Sequence, residues 1–244
     1  MFYVSVGMPR AGSGWHYNLM HDLVVAAGGQ DARQVRRRYH LGWTLTAVNC
    51  NIGTLAPHRL LVVSVPALLG NTFVIKAHAG PTVSARLLLR LGLLRAAYIY
   101  RDPRDALLSA LEHGERSRQN GQRNAFAALT DFESGLAFMR HYIAISEAWL
   151  ALPQVLATRY EDLLTHYDAE ANRLAVHLGV DTTLPSVREV LERYRPRQAS
   201  RSGQRGLHFR KGKTGRFREV FTPRQQEACL DAFRLYLERR GYAL

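Results

Sequence analysis

Four short stretches of this chain carry residues able to do chemistry, and each sits where a strand gives way to a turn or a loop. The first is Gly7-Met-Pro-Arg-Ala-Gly-Ser-Gly-Trp15, between an apolar run and an amphipathic one. A Gly-rich strand-to-helix turn aims backbone N–H groups and a helix N-terminus at one point, which suits an anion. Gly7 and Gly12 have the spacing of the pattern G-x-x-x-x-G-K-[ST], but Ser13 stands where that pattern needs lysine. Gly14 likewise stands where it needs the hydroxyl that binds Mg²⁺. Positive charge enters instead at Arg10, inside the loop. The turn can therefore hold a phosphate without that metal arrangement, and the same residues also suit a turn with no ligand.

The second stretch is Val74-Ile-Lys-Ala-His78, an apolar strand that ends in two basic side chains. Alternation with period two puts Lys76 and His78 on the same side. A lone histidine is commonly structural, but a lysine two residues before it at a strand's carboxyl end favours function. In the third, Tyr100-Arg-Asp-Pro-Arg-Asp-Ala-Leu-Leu-Ser109, Arg101 leaves a strand and Asp102 caps the helix that Pro103 begins. Arg101 and Ser109 can then both face a ligand at the sheet edge. Arg104 and Asp105 read as surface charges. The fourth, Phe209-Arg-Lys-Gly212, offers a guanidinium, an ammonium and an unhindered N–H in succession, a set suited to a phosphate monoester or to solvent alone.

Positioning these residues requires strands at Phe2–Gly7, Phe73–Lys76, Ala96–Tyr100 and Val155–Arg159. Helices are expected at Ser13–Ala27, Thr82–Leu91, Pro103–Glu115, Ala125–Leu150, Ala169–Leu178, Ser186–Tyr194 and Pro223–Arg239. Thr222, Pro223 and Gln225 form the start signal of the last. Leu60–Val65 suits a strand or a buried helix. Gly29–Leu41 reads as an exposed basic connection and Arg195–Val220 as a long irregular loop. Strands alternating with helices predict an α/β fold of three layers, α/β/α, with a central parallel sheet and a phosphate-binding turn like a P-loop.

At 244 residues and 47% apolar the chain suits one domain spanning residues 1–244. Its net charge of +13 points to anionic partners without choosing among them. Arginine dominates that charge, since the only lysines are Lys76, Lys211 and Lys213. Cys50 and Cys229 cannot form a disulfide framework, and the N-terminus opens on an apolar strand with no leader pattern. A cytoplasmic protein without a transmembrane segment is expected.

In order and spacing these blocks resemble the sulfotransferases that use 3′-phosphoadenosine 5′-phosphosulfate (PAPS). Pro9–Trp15 is similar to the family's P-[KR]-S-G-T-[TS]-W, and Lys76-Ala77-His78 to its K-T-H. Arg101, Asp102, Pro103, Arg104, Asp105 and Ser109 meet the R-[ND]-P-[KR]-D-x-x-x-S pattern, and Tyr160–Leu163 its Y-E-D-L. Arg210–Gly215 corresponds to R-K-G-x-x-G. Several positions depart from the family. Ala11 and Gly14 lack two hydroxyls, and Arg216-Phe217 replaces the usual D-W. Of the dimer motif only Arg218, Thr222, Pro223 and Glu227 remain, which leaves a homodimer open.

The resemblance implies PAPS as co-substrate, no metal, and an acceptor that is a small molecule, a lipid or a glycan rather than nucleic acid. It implies His78 as general base with Lys76 and Arg10 stabilising the leaving phosphate. Donor-binding positions would be Arg10, Ala11, Gly12, Ser13, Gly14, Trp15, Arg101, Ser109, Tyr160, Phe209, Arg210, Lys211 and Gly212, with Trp15 against the adenine. Gly29–Asn71 and the 125–150 helix would shape the acceptor pocket. The residues alone also admit a small-molecule kinase or a non-catalytic nucleotide- or RNA-binding module.

Overall fold

The computed structural model describes residues 1–201 and 212–244. In chain order the elements are β1 (Phe2–Gly7), α1 (Ser13–Ala26), α2 (Ala32–Arg38), α3 (Pro57–Leu68), β2 (Phe73–Ala77), α4 (Val83–Arg90), β3 (Leu94–Tyr100) and α5 (Pro103–Gln119). They continue with α6 (Phe132–Leu150), β4 (Val155–Arg159), α7 (Tyr160–Thr165), α8 (Tyr167–Leu178), α9 (Pro185–Arg193), α10 (Pro196–Arg201), α11 (Phe217–Val220) and α12 (Pro223–Arg239). The four strands form one parallel sheet in the order β2-β1-β3-β4.

The sheet's two faces are read from alternate residues, as the pleat dictates. Phe2, Val4 and Val6 of β1 share one face with Phe73, Ile75, Ala96 and Tyr98, and pack under α2, α3 and α4. Tyr3, Val74, Ala97 and Ile99 face the other way, onto α1, α8 and α9. Both faces are thus covered, which explains why the strands are almost wholly apolar. A third cluster, including Leu107, Met139, Phe233 and Leu237, joins α5, α6 and α12.

The strands fall within two residues of expectation, and the start of α12 is as its sequence signals. Thr222 accepts from Gln225 N, and the Gln225 side chain returns the bond to the Thr222 N–H. Of the two readings open for Leu60–Val65 the structure takes the helix: it belongs to α3, whose buried residues Leu60, Val63 and Pro66 recur every third position. Other segments differ. Gly29–Leu41, expected to be irregular, contains α2. Asp31 caps it by accepting from Arg33 N at 2.7 Å, and Ala32 and Val35 bury one side. The 125–150 helix starts only at Phe132, because Asp131 and Ser134 close a capping box there. In the region from Arg195 to Val220, α10 and α11 provide order at either end. Among the described residues no helix is long and apolar enough to cross a membrane.

Candidate functional site

The first turn is shaped by two close approaches. A Cβ at Gly7 would lie 2.6 Å from the Ile99 side chain, and one at Gly12 would lie 2.7 Å from the Tyr160 ring. Gly12 also has φ 80°, the left-handed region where side chains are strained. Arg10, at φ 65°, takes that conformation with a side chain, a strain that recurs at ligand-holding turns. Helix α1 begins at Ser13 with no side-chain cap, so its first N–H groups remain open to an anion. Ala11 has its side chain in the core and its N–H on Met8 O at 3.2 Å, so its own amide is already used. Trp15 is enclosed. Its ring stacks on Tyr167 at 6.1 Å, meets Tyr160 edge-on, and donates its indole N–H to Tyr194 O.

At the end of β2 the two basic side chains are held in different ways. His78 Nδ1 donates to Gly7 O at 2.7 Å, which fixes the neutral tautomer and leaves the lone pair on Nε2. Burial, and then the Lys76 charge, push its pKa down to about 4, so the ring is neutral at physiological pH. Lys76 is only 6% exposed, and among the described residues its ammonium has no hydrogen-bond partner. Burial, and then Arg10, lower its pKa to about 8. An unpaired cation facing a cleft is a receptor for an anion.

Arg101, at the end of β3, ties the site together. Its guanidinium donates to Arg10 O at 3.3 Å and Lys213 O at 2.8 Å, and lies over the Tyr160 ring at 4.5 Å. Among the described residues its Nε is buried without a partner. Arg10 Nε in turn donates to Ser109 Oγ at 3.2 Å. Arg104 and Asp105 are not surface charges: both are buried, because α5 packs its first turn beneath α11. The Asp105 carboxylate accepts from Gly215 N at 2.6 Å and Phe217 N at 3.2 Å, and meets Arg101 at 3.5 Å. Arg104 pairs with Asp102, donates to Ala243 O and covers the Phe217 ring.

These groups converge on a cleft of about 690 Å³ at the carboxyl ends of the strands. Arg10, Gly12, Ser13, Gly14, Trp15, Lys76, His78, Arg101, Ser109, Tyr160 and Gly212 all line it. Phe209, Arg210 and Lys211 lie outside the described residues. The remaining lining residues were not foreseen one by one. Asn49 comes from the segment after α2, His113 from α5, and Phe126, Phe138 and Tyr142 from in front of and along α6. Phe126, Phe138 and Tyr142 form a run of rings, with centroids 5.8 and 4.8 Å apart. The 138/142 spacing and the 109/113/116 spacing on α5 were the available signals, since each places residues on one helix face.

A family model described as the sulfotransferase domain matches residues 74–240. No curated protein matches the chain. Among solved structures, mouse sulfotransferase SULT7A1 complexed with PAP is similar at TM-score 0.62 and 15% identity, over 97% of this chain and 84% of that one. Retinol dehydratase in complex with androsterone and inactive cofactor PAP is similar at TM-score 0.60 and 17% identity, over 97% and 80%. At such identities these structures bear on the fold alone.

Proposed function

Because the chain belongs to the sulfotransferase domain family, we propose that it moves a sulfuryl group from PAPS to an acceptor hydroxyl or amine in this cleft. One observation carries the reading. A neutral histidine with its Nδ1 already engaged stands beside a buried ammonium that has no partner among the described residues and an arginine-bearing anion turn. The cleft residues suit an anionic donor, since the open N–H groups of α1 adjoin Arg10, whose guanidinium reaches Ser109 and whose carbonyl meets Arg101. Both solved relatives named above were crystallised with PAP.

In this reading His78 Nε2 takes the acceptor's proton as the acceptor oxygen or nitrogen bonds to sulfur. The bond from sulfur to the bridging oxygen breaks, and its electron pair stays on the departing 5′-phosphate. Arg10 and Lys76 stabilise that charge without giving up a proton. Arg101, Ser109 and the Gly212 N–H hold the 3′-phosphate, with Arg210 and Lys211 joining them from the sequence pattern. The expected contact of Trp15 with the adenine is not adopted, because its ring is fully buried against Tyr167 and Tyr160 and supports the turn from behind. The Asn49 and Phe126–Tyr142 wall receives the acceptor, a small molecule, lipid or glycan. The working unit is one domain in the cytoplasm.

Calorimetry with adenosine 3′,5′-bisphosphate in excess EDTA tests the donor site: binding should persist, and its loss would favour metal-dependent nucleotide chemistry. Incubating cell extracts with radiolabelled PAPS, with and without the chain, tests transfer and identifies the acceptor.

A further inference from the structure

The layer formed by α3 and α4 has an outer surface that none of the described residues covers. Helix α3 buries Leu60, Val63 and Pro66 and turns Leu61, Val65 and Leu68 outward, with Leu61 68% and Leu68 70% exposed. Helix α4 buries Ala85 and Leu89 and leaves Val83, Leu87 and Leu91 outside, Val83 at 85% exposed. In each helix the exposed set recurs at every third or fourth position, so it forms a stripe of its own opposite the buried one. The two helices touch and pack on the same sheet face, so their free stripes point the same way. Aliphatic side chains gathered like this mark an interaction surface, unlike apolar residues scattered singly.

The charge around the stripe names the occupant. No residue from 32 to 100 is an aspartate or glutamate, so neither α3 nor α4 brings an acidic side chain to the stripe. Arg86 and Arg90 sit one turn apart on α4 beside the stripe, and both are exposed. A second copy of the chain meeting this face would set cation against cation. A nucleic-acid backbone would satisfy the arginines but offer the leucines nothing. An anionic bilayer satisfies both, since acyl chains accept the aliphatic stripe while acidic headgroups meet the arginines.

We propose that the α3–α4 face docks the protein on the surface of an anionic phospholipid membrane, with both helices lying in the interface plane. The attachment is peripheral, weakened by salt, and independent of donor binding in the cleft.

Sedimentation with large vesicles tests this. Vesicles of phosphatidylcholine with roughly one-third phosphatidylglycerol should bind the chain about tenfold or more tightly than pure phosphatidylcholine. The pair Leu68→Glu and Leu87→Glu should remove binding to both vesicle types. Arg86→Glu with Arg90→Glu should remove only the preference for acidic lipid. Melting temperature and bisphosphate affinity should not move in either double variant, because all four side chains are exposed. Equal binding to neutral and acidic vesicles, or acidic-vesicle binding that survives the leucine substitutions, overturns the proposal. So does a wild-type dimer in solution that the leucine substitutions convert to monomer, which would give the face to a second copy.

Discussion

The two walls of the cleft are built on different principles. On the strand-end wall nearly every functional group is locked by the backbone: His78 on Gly7 O, Arg101 on Arg10 O and Lys213 O, and the turn by left-handed Arg10 and Gly12. On the aromatic wall, which adjoins the first where Arg10 lies over the Phe126 ring, Phe126, Phe138 and Tyr142 are held by ring packing. A backbone-locked wall presents fixed donors at fixed places, as a charged group of constant shape requires. A packed aromatic wall can change its shape by exchanging side chains without disturbing the fold. The difference supports the proposal that the first wall takes the donor and the second the acceptor, and each of the following tests can break that division.

The largest effect is expected at His78. His78→Ala should lower transfer by on the order of 10²–10⁴-fold, the worth of a general base. Bisphosphate affinity and melting temperature should stay near wild type, and the residual rate should rise with pH as the acceptor ionises unaided. A folded variant turning over at the wild-type rate would remove His78 from the mechanism. Arg101→Ala comes next. It should weaken adenosine 3′,5′-bisphosphate by roughly 10- to 100-fold, the value of a charge-assisted hydrogen bond. Adenosine 5′-phosphosulfate, which lacks the 3′-phosphate, should be affected much less. Calorimetry with both nucleotides compares them, and equal losses would mean that Arg101 only braces Arg10 and Lys213.

On the other wall, Phe138→Ala or Tyr142→Ala should raise the acceptor's KM by about tenfold, a share of one buried aromatic side chain, with donor affinity unchanged. Steady-state kinetics against calorimetry separates the two, and a drop in donor affinity would erase the distinction between the walls.

The smallest effect concerns stability. Burial holds the folded Lys76 pKa at about 8, below the ordinary 10.5. The fold therefore bears the full cost of the ammonium below pH 8, and that cost fades as pH rises from about 8 to 10.5. Lys76→Met should abolish most transfer yet raise the melting temperature at pH 7, by about 2–4 °C for each kcal/mol relieved. The gap should close towards pH 10.5. A melting temperature that falls at pH 7 would show that the ammonium is satisfied in the fold.

What could be read from the sequence follows the same division. Strands buried on both faces are continuous apolar runs, and β1 and β4 were legible residue for residue. That Arg10, Lys76, His78, Arg101 and Ser109 meet in one cleft was legible because each sits at a strand end or on one helix face, and local spacing encodes both. Helix α2 was hidden by Arg36–Arg38, which outweigh the two buried positions, Ala32 and Val35, that define it. Asp105 was misread because its partners, Gly215 and Phe217, are more than a hundred residues away. Asn49 and the Phe126–Tyr142 run belong to the cleft only through tertiary packing, which no local pattern announces.

The strand order β2-β1-β3-β4 also bears on how the chain reaches this state. The first strand to be synthesised is flanked by partners that begin at Phe73 and Leu94. At about 5–20 residues per second on the ribosome, β1 waits several seconds with both edges unpaired. Its six residues are all destined for the interior, so during that wait it is a sticky apolar segment with open hydrogen-bonding edges. Nucleation cannot come from β1 alone and has to await sequence-distant pairing, which is slow. Yield in a heterologous host should therefore depend more on growth temperature and chaperone supply than on the final stability of the fold.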